Sequence, residues 1–166
     1  MIAEIEAVDA WIAEDKTLFG TFPGWGAERG SDHTARWGIV DSLGIQRGEL
    51  SLTVDRRLLK PTICVLMERK LIARIDIVPE GESEPNPPAA RRMGLPAIIR
   101  GTHMHGWSEN REWVRLHGFG ELPFRRQMPP ALRTVSQALA AITDDVNIFL
   151  ESNQRDFQLP PQAYLF

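Results

Sequence analysis

Hydrophobic positions near the start of the chain recur every three or four residues. Ile2, Ile5, Val8, Trp11 and Ile12 follow this spacing, and acidic residues fall mainly between them. A period close to that of the α-helix is typical of a helix with one buried face. The pattern therefore predicts an amphipathic helix at the N-terminus.

The period changes to two in the middle of the chain, where alternating and β-branched-rich segments indicate β-strands. These predicted strands cover residues 36–40, 50–54, 62–68, 71–78, 98–105 and 113–116. The short polar joint Arg69-Lys70 favours a hairpin, and a further turn is expected over residues 108–111. A glycine- and aromatic-rich segment at 19–31 and a proline-rich segment at 79–96 interrupt the pattern as loops.

Helical spacing returns after Pro129-Pro130, with Leu132, Val135, Leu139 and Ile142 on one side. Residues 146–150 then alternate and predict an edge strand. Together the elements predict an α+β fold: an antiparallel sheet of five to six strands flanked by an N-terminal and a C-terminal amphipathic helix. One domain is expected over residues 1–166, with 152–166 as a C-terminal tail.

Composition narrows the functional classes. Nineteen Lys and Arg against 22 Asp and Glu give a net charge of -3, so no overall basic field indicates nucleic acid or membrane binding. The single cysteine, Cys64, excludes an intramolecular disulfide and is expected to serve in packing. The N-terminus is acidic where a secretory signal is basic, and no apolar stretch reaches membrane-spanning length, which predicts a cytoplasmic protein.

The segment His103-Met104-His105 carries the clearest candidate chemistry. Residues two apart on a strand point the same way, so both imidazoles lie on one face, and Trp107 continues that row. Glu109 extends the pattern to His-x-His-x-x-x-Glu, and His117 or Asp76 could complete a site for a divalent metal such as zinc or manganese.

Two other interpretations of these histidines stay open. One imidazole could act as general base and the other as general acid on a phosphate, because histidine titrates near neutral pH. Alternatively, both rings could only form hydrogen bonds within a half-buried strand.

Arginines are concentrated in the same part of the chain. Arg100, Arg111 and Arg115, together with Trp107, are predicted to bind a phosphate ester or an RNA substrate, because arginine binds phosphate through two parallel hydrogen bonds and tryptophan stacks on bases. The alternative is that they are ordinary solvated surface residues.

The order of these motifs resembles an uncharacterised family of small bacterial and prophage α+β proteins. The residues that carry the resemblance are the strand Leu71–Asp76, the Asn86-Pro87 loop, the Gly-x-His-x-His strand at 101–105 and Glu109. About half of the chain is covered, and Glu109-Asn110 stands where the family pattern has Glu-Gly. The resemblance implies an accessory protein of a mobile element, such as a toxin, an antitoxin or an anti-defence protein.

Two functional hypotheses follow. The first is a nuclease-like phosphodiesterase in which His103, His105 and Asp76 are catalytic or bind metal. The second is a non-catalytic binding or inhibitor protein whose Trp and Arg surface contacts a protein or nucleic-acid partner. The sequence leaves the oligomeric state open.

Overall fold

The computed structural model describes residues 1–27, 32–55 and 60–160 of the chain. Its helices are α1 (Ile2–Ala13), α2 (Trp107–His117), α3 (Val135–Asp145) and α4 (Ser152–Arg155), with a 3-10 helix over Pro88–Met93. Its strands are β1 (Lys16–Leu18), β2 (Gly26–Ala27), β3 (Asp32–Asp41), β4 (Gln46–Asp55), β5 (Pro61–Met67), β6 (Lys70–Asp76), β7 (Ser83–Pro85), β8 (Ile98–Arg100), β9 (His103–His105), β10 (Arg126–Gln127) and β11 (Ile148–Phe149). Parts of the predicted loop 19–31 and tail 152–166 lie outside the described residues.

The main sheet has the strand order β10-β9-β6-β5-β4-β3-β1-β11, and β2 pairs beside β3. Neighbours along this order are antiparallel except β1 and β11, which run parallel. The α+β class is confirmed, whereas the prediction of a purely antiparallel sheet with five to six strands is wrong. The strands of this sheet that the sequence did not predict, β1, β2 and β10, contain only two or three residues each, too few to give a recognisable alternation, whereas β11 lies within the edge strand expected over residues 146–150.

One face of the sheet carries the hydrophobic core. Helices α1 and α3 cover it, so that Trp11 and Ile142 join sheet residues such as Leu52 and Ile63 in one buried cluster. Gly48 in β4 permits this packing, because a Cβ atom there would lie 2.6 Å from the Trp11 ring. Burial of these side chains is the main stabilising contribution to the fold.

The other face of the sheet is polar along one cross-strand row. Thr53, Thr62, Asp76 and His103 are successive partners on β4, β5, β6 and β9. Because alternate residues point to opposite faces, all four side chains lie on the side away from the core. The fold therefore assembles a polar patch from strands that are far apart in the sequence.

Four predicted elements differ from the structure. Residues 108–111 and 113–116 were expected to be a turn and a strand, but both belong to helix α2. The predicted strand 98–105 is divided into β8 and β9 at Gly101, whose φ of +70° reverses the backbone. Helix α3 begins after Thr134, which caps it together with Gln137, and not at the proline pair.

Candidate metal centre

The register of β6 and β9 brings three potential metal ligands together. In this antiparallel pair Asp76 lies opposite His103, and Arg74 lies opposite His105. Asp76, His103 and His105 are buried, with 7%, 2% and 6% of their surface exposed. Each offers one ligand atom, and these three atoms lie within 4.8 Å of one another.

Backbone carbonyl groups fix the orientation of both imidazoles. The Nδ1 of His103 lies 2.9 Å from the oxygen of Gly101, and the Nδ1 of His105 lies 2.5 Å from the oxygen of Leu122. A carbonyl oxygen can only accept, so each Nδ1 must carry the hydrogen. In the neutral rings, Nε2 therefore holds a lone pair directed at Asp76, which is the tautomer that metal-binding histidines adopt.

The two oxygens of Asp76 have different partners. Oδ1 accepts hydrogen bonds from the Thr62 hydroxyl at 2.8 Å and from the Arg74 Nε at 2.9 Å. Burial disfavours the charge of Asp76, but hydrogen bonds prevail, from His103 and His105 where an Nε2 carries a hydrogen and from Arg74, and they hold the pKa of its carboxyl group well below the ordinary value. The ionised Oδ2 thus remains available to face the histidines.

The spacing between these atoms matches a metal site better than a pair of hydrogen bonds. Asp76 Oδ2 lies 3.5 Å from the His103 Nε2 and 3.3 Å from the His105 Nε2. A charge-assisted N–H···O bond would be shorter, at about 2.7–2.9 Å. Two ligands about 2.1 Å from a tetrahedral ion are about 3.4 Å apart, and around an octahedral ion about 3.0 Å apart. The two distances from Asp76 Oδ2 are compatible with ligands around a tetrahedral ion such as zinc.

Asn110, a buried residue of helix α2, stabilises the chain segment beside the centre. It was not among the residues predicted from the sequence. The Asn110 side chain donates to the oxygens of Gly106 and Phe124 and accepts from the Phe124 backbone at 2.8 Å. This fixes the chain segment that supplies the Leu122 carbonyl to His105. The sequence feature that could have indicated its role is a polar residue, Asn110, at a helical position that faces the core.

Two of the predicted metal ligands lie elsewhere. Glu109 is directed at Arg126, whose Nη1 donates to its Oε1 at 2.7 Å. His117 stacks on the Trp113 ring, and its Nδ1 pairs with the Trp113 oxygen. The cause is helix α2. In a strand, Glu109 and His117 would lie in the same row as the two histidines. Because the chain becomes helical after Gly106, both side chains point away from that row.

The residues predicted to bind substrate are not gathered at the centre either. Arg111 forms a bidentate pair with Asp9, and the Trp107 Nε1 donates to the same carboxylate. Arg115 is paired with Glu112 of its own helix. Arg100 lines a separate cavity of about 640 Å³, which none of the three candidate ligands lines.

Cys64 shares the polar face of the sheet, opposite Arg74 on the neighbouring strand. Burial raises the pKa of its thiol to about 11, so the neutral form prevails near pH 7. This agrees with the expectation that Cys64 serves in packing.

Comparison with known proteins adds no assignment to this geometry. None of the described helices combines the length and the apolarity that crossing a membrane requires. The resemblance to small bacterial and prophage proteins stays a prediction. No protein-family model, no curated protein and no solved structure matches the chain.

Proposed function

We propose that this protein is a metal-dependent hydrolase in which Asp76, His103 and His105 hold a zinc ion. The observation that carries the proposal is the convergence of three acceptor atoms, with Asp76 Oδ2 at 3.3 and 3.5 Å from the two Nε2 atoms. When both rings are neutral, three acceptors cannot satisfy one another, and a metal ion among them would supply the missing positive charge.

The number of ligands favours catalysis over a purely structural role. Structural zinc sites are closed by four protein ligands, whereas catalytic sites have three and leave the fourth position for water or substrate. Two histidines and one carboxylate form such a three-ligand set. The carbonyls of Gly101 and Leu122, the Thr62 hydroxyl and the Arg74 guanidinium then serve as the outer partners that orient metal ligands.

The chemistry that such an ion supplies is the activation of water near neutral pH. Held by Asp76, His103 and His105, the ion would supply a nucleophilic water whose oxygen displaces the alcohol of an ester, and the proton of that water would pass through solvent to the leaving alcohol. Hydrolysis of a phosphate ester by this route agrees with the phosphodiesterase hypothesis from the sequence, and it needs neither Glu109 nor His117.

The test is hydrolysis of chromogenic esters by the zinc-loaded protein, using p-nitrophenyl acetate and bis(p-nitrophenyl) phosphate. Asp76→Asn and His103→Ala should lose zinc and at least about 100-fold of the activity, because both changes remove a ligand. His117→Ala is the matched control, since it removes an exposed histidine and should retain both. Zinc binding without hydrolysis of either ester would contradict a hydrolase, and unchanged zinc content in both ligand variants would contradict the metal centre.

A further inference from the structure

An open cleft lies beside the candidate metal centre. Its volume is about 610 Å³, and His105 is the ligand that reaches its wall. This volume is in the range of pockets that bind small organic molecules. The lining includes two arginines, Arg74 and Arg125, and apolar side chains from Leu71, Leu122 and several prolines. The cleft thus combines a polar end near His105 with apolar walls.

Arg74 is held with one edge of its guanidinium against the metal centre. Its Nε and Nη2 both contact Asp76 Oδ1, at 2.9 and 2.8 Å. The rest of the planar group is directed away from that carboxylate, and 45% of the side chain is exposed. Because the guanidinium is already oriented, little conformational freedom is lost when its outer edge binds an anion.

Arg125 is the second arginine that lines the cleft. Asn86 fixes its backbone, accepting from the Arg125 amide at 2.9 Å and donating to its carbonyl oxygen at 2.8 Å. The Arg125 Nη1 donates to the Pro85 oxygen at 2.7 Å, and Nη2 pairs with Glu84. These contacts fix the orientation of the guanidinium among the lining residues.

The charge of the cleft depends on the metal. Without an ion, the lining residue Glu121 and the partners of the two arginines, Asp76 and Glu84, give one carboxylate more than there are arginines. A divalent ion at the candidate centre reverses this balance and gives an excess of one positive charge. Anion binding should therefore require the loaded centre.

We infer that this cleft binds the phosphoryl group of a nucleotide-sized organic phosphate, with Arg74 and Arg125 contacting its oxygens and the apolar walls contacting its organic part. The inference rests on the proposed function, since it requires a metal ion beside His105. It assigns substrate binding to Arg74 and Arg125 in place of Arg100, Arg111 and Arg115.

The experiment is calorimetric titration of the zinc-loaded protein with inorganic phosphate and with adenosine monophosphate. Arg74→Gln and Arg125→Gln should each weaken binding of both anions by about tenfold or more, because each removes a charge-assisted hydrogen bond. Arg125→Lys, which keeps the charge and loses the fork, should weaken it less. Arg115→Gln is the control arginine, and it should bind as the unmodified protein does.

Zinc content, measured in every variant, separates the two levels of the proposal. If the unmodified protein holds zinc but binds neither anion at millimolar concentration, the inference is overturned and the metal centre stands. Unchanged anion binding in a zinc-loaded Arg74→Gln/Arg125→Gln double variant also overturns it. If no zinc binds, the proposed function itself fails.

A single-stranded RNA with and without a 5′-phosphate distinguishes the two sources of the phosphoryl group. Binding that requires the 5′-phosphate and is weakened by Arg125→Gln supports the site with a nucleic-acid end as its ligand. Binding of adenosine monophosphate alone, weakened by the same change, supports it with a free nucleotide.

Discussion

The two faces of β9 carry two carboxylate clusters, one half-buried and one buried, that differ in the groups facing their carboxylates. On the core-facing side, beside Met104, Arg126 reaches Glu109 Oε1 and Asp145 Oδ1, both at 2.7 Å. On the polar side, Asp76 Oδ2 faces two imidazole nitrogens at 3.3 and 3.5 Å. The first distances are those of completed charge-assisted hydrogen bonds.

The two clusters differ in whether a cationic side chain lies between the facing groups. The Arg126 cluster contains its own cation, so the distances between its nitrogen and oxygen atoms are those of hydrogen bonds. In the Asp76 cluster both Nδ1 atoms pair with the carbonyls of Gly101 and Leu122, so neutral rings leave lone pairs facing a carboxylate. Its wider spacing is that of ligands around an ion, which is why we interpret one cluster as structural and the other as a metal centre.

The largest expected effect is stabilisation by zinc. At a free zinc concentration 100 times the dissociation constant, the free energy of unfolding should rise by about 2.7 kcal/mol, because the folded state alone presents the ligands together. Urea denaturation of the unmodified protein, His105→Ala and His117→Ala with and without zinc measures this. The His105→Ala variant should gain nothing and His117→Ala should gain the full amount; equal gains in all three would place the zinc elsewhere.

The second prediction concerns a variant that disrupts the Arg126 cluster. Arg126→Met leaves Glu109 and Asp145 without their shared cation, and the zinc-free protein should lose about 2 kcal/mol of unfolding free energy, a value reduced for the partial exposure of the pair. Zinc affinity should stay within about twofold, because Arg126 lies on the opposite face. A loss of zinc affinity as large as the loss of stability would contradict the separation of the two clusters.

The third prediction concerns the outer partners of the metal ligands. Thr62→Val removes the hydroxyl that donates to Asp76 Oδ1, and zinc affinity should fall by about tenfold. Thr53→Val is the matched control, because Thr53 is the cross-strand neighbour of Thr62 one strand further from the centre. Competition for zinc with a chromogenic chelator measures both variants, and equal affinities would show that Thr62 does not orient the carboxylate.

The smallest effect extends the comparison to an ion pair near the surface. The hydrogen bond from Arg111 lowers the pKa of Asp9, so the folded state keeps this carboxylate charged at a lower pH than the unfolded chain does. Its contribution to stability is complete above about pH 4 and is lost as the pH falls. The difference in Tm between the unmodified protein and Asp9→Asn should narrow from pH 6 to pH 3, and a constant difference would refute the linkage.

Part of the centre could be predicted from the sequence because strand geometry is local. Alternation alone places His103 and His105 on one face, and the same rule puts Arg74 and Asp76 on one face of the preceding strand. That β9 pairs with β6 in this register depends on contacts across the whole sheet, so the sequence could offer Asp76 only as one ligand among several.

The incorrect predictions concern a segment whose local sequence pattern fits both a strand and a helix. Three of the four residues 113–116 are apolar, as in a short strand, yet the buried positions of helix α2 are Trp107, Asn110 and Val114, which follow helical spacing. Asn110 interrupts the apolar residues of this series and so conceals their helical period. Its side chain is buried because it forms hydrogen bonds with the backbone of Phe124, and not because it is apolar. Treating the segment as a strand placed Glu109 and His117 beside the histidines and left Asn110 without a role.

Equilibrium dialysis of the protein and of Asp76→Asn against zinc, with manganese in a parallel series, measures whether the three ligands hold an ion. We expect one zinc ion per chain, affinity lower by at least about 100-fold in Asp76→Asn, and weaker binding of manganese, because the ligand spacing suits a tetrahedral ion. Failure to retain zinc at micromolar concentration, or equal zinc binding by both proteins, would contradict the metal centre.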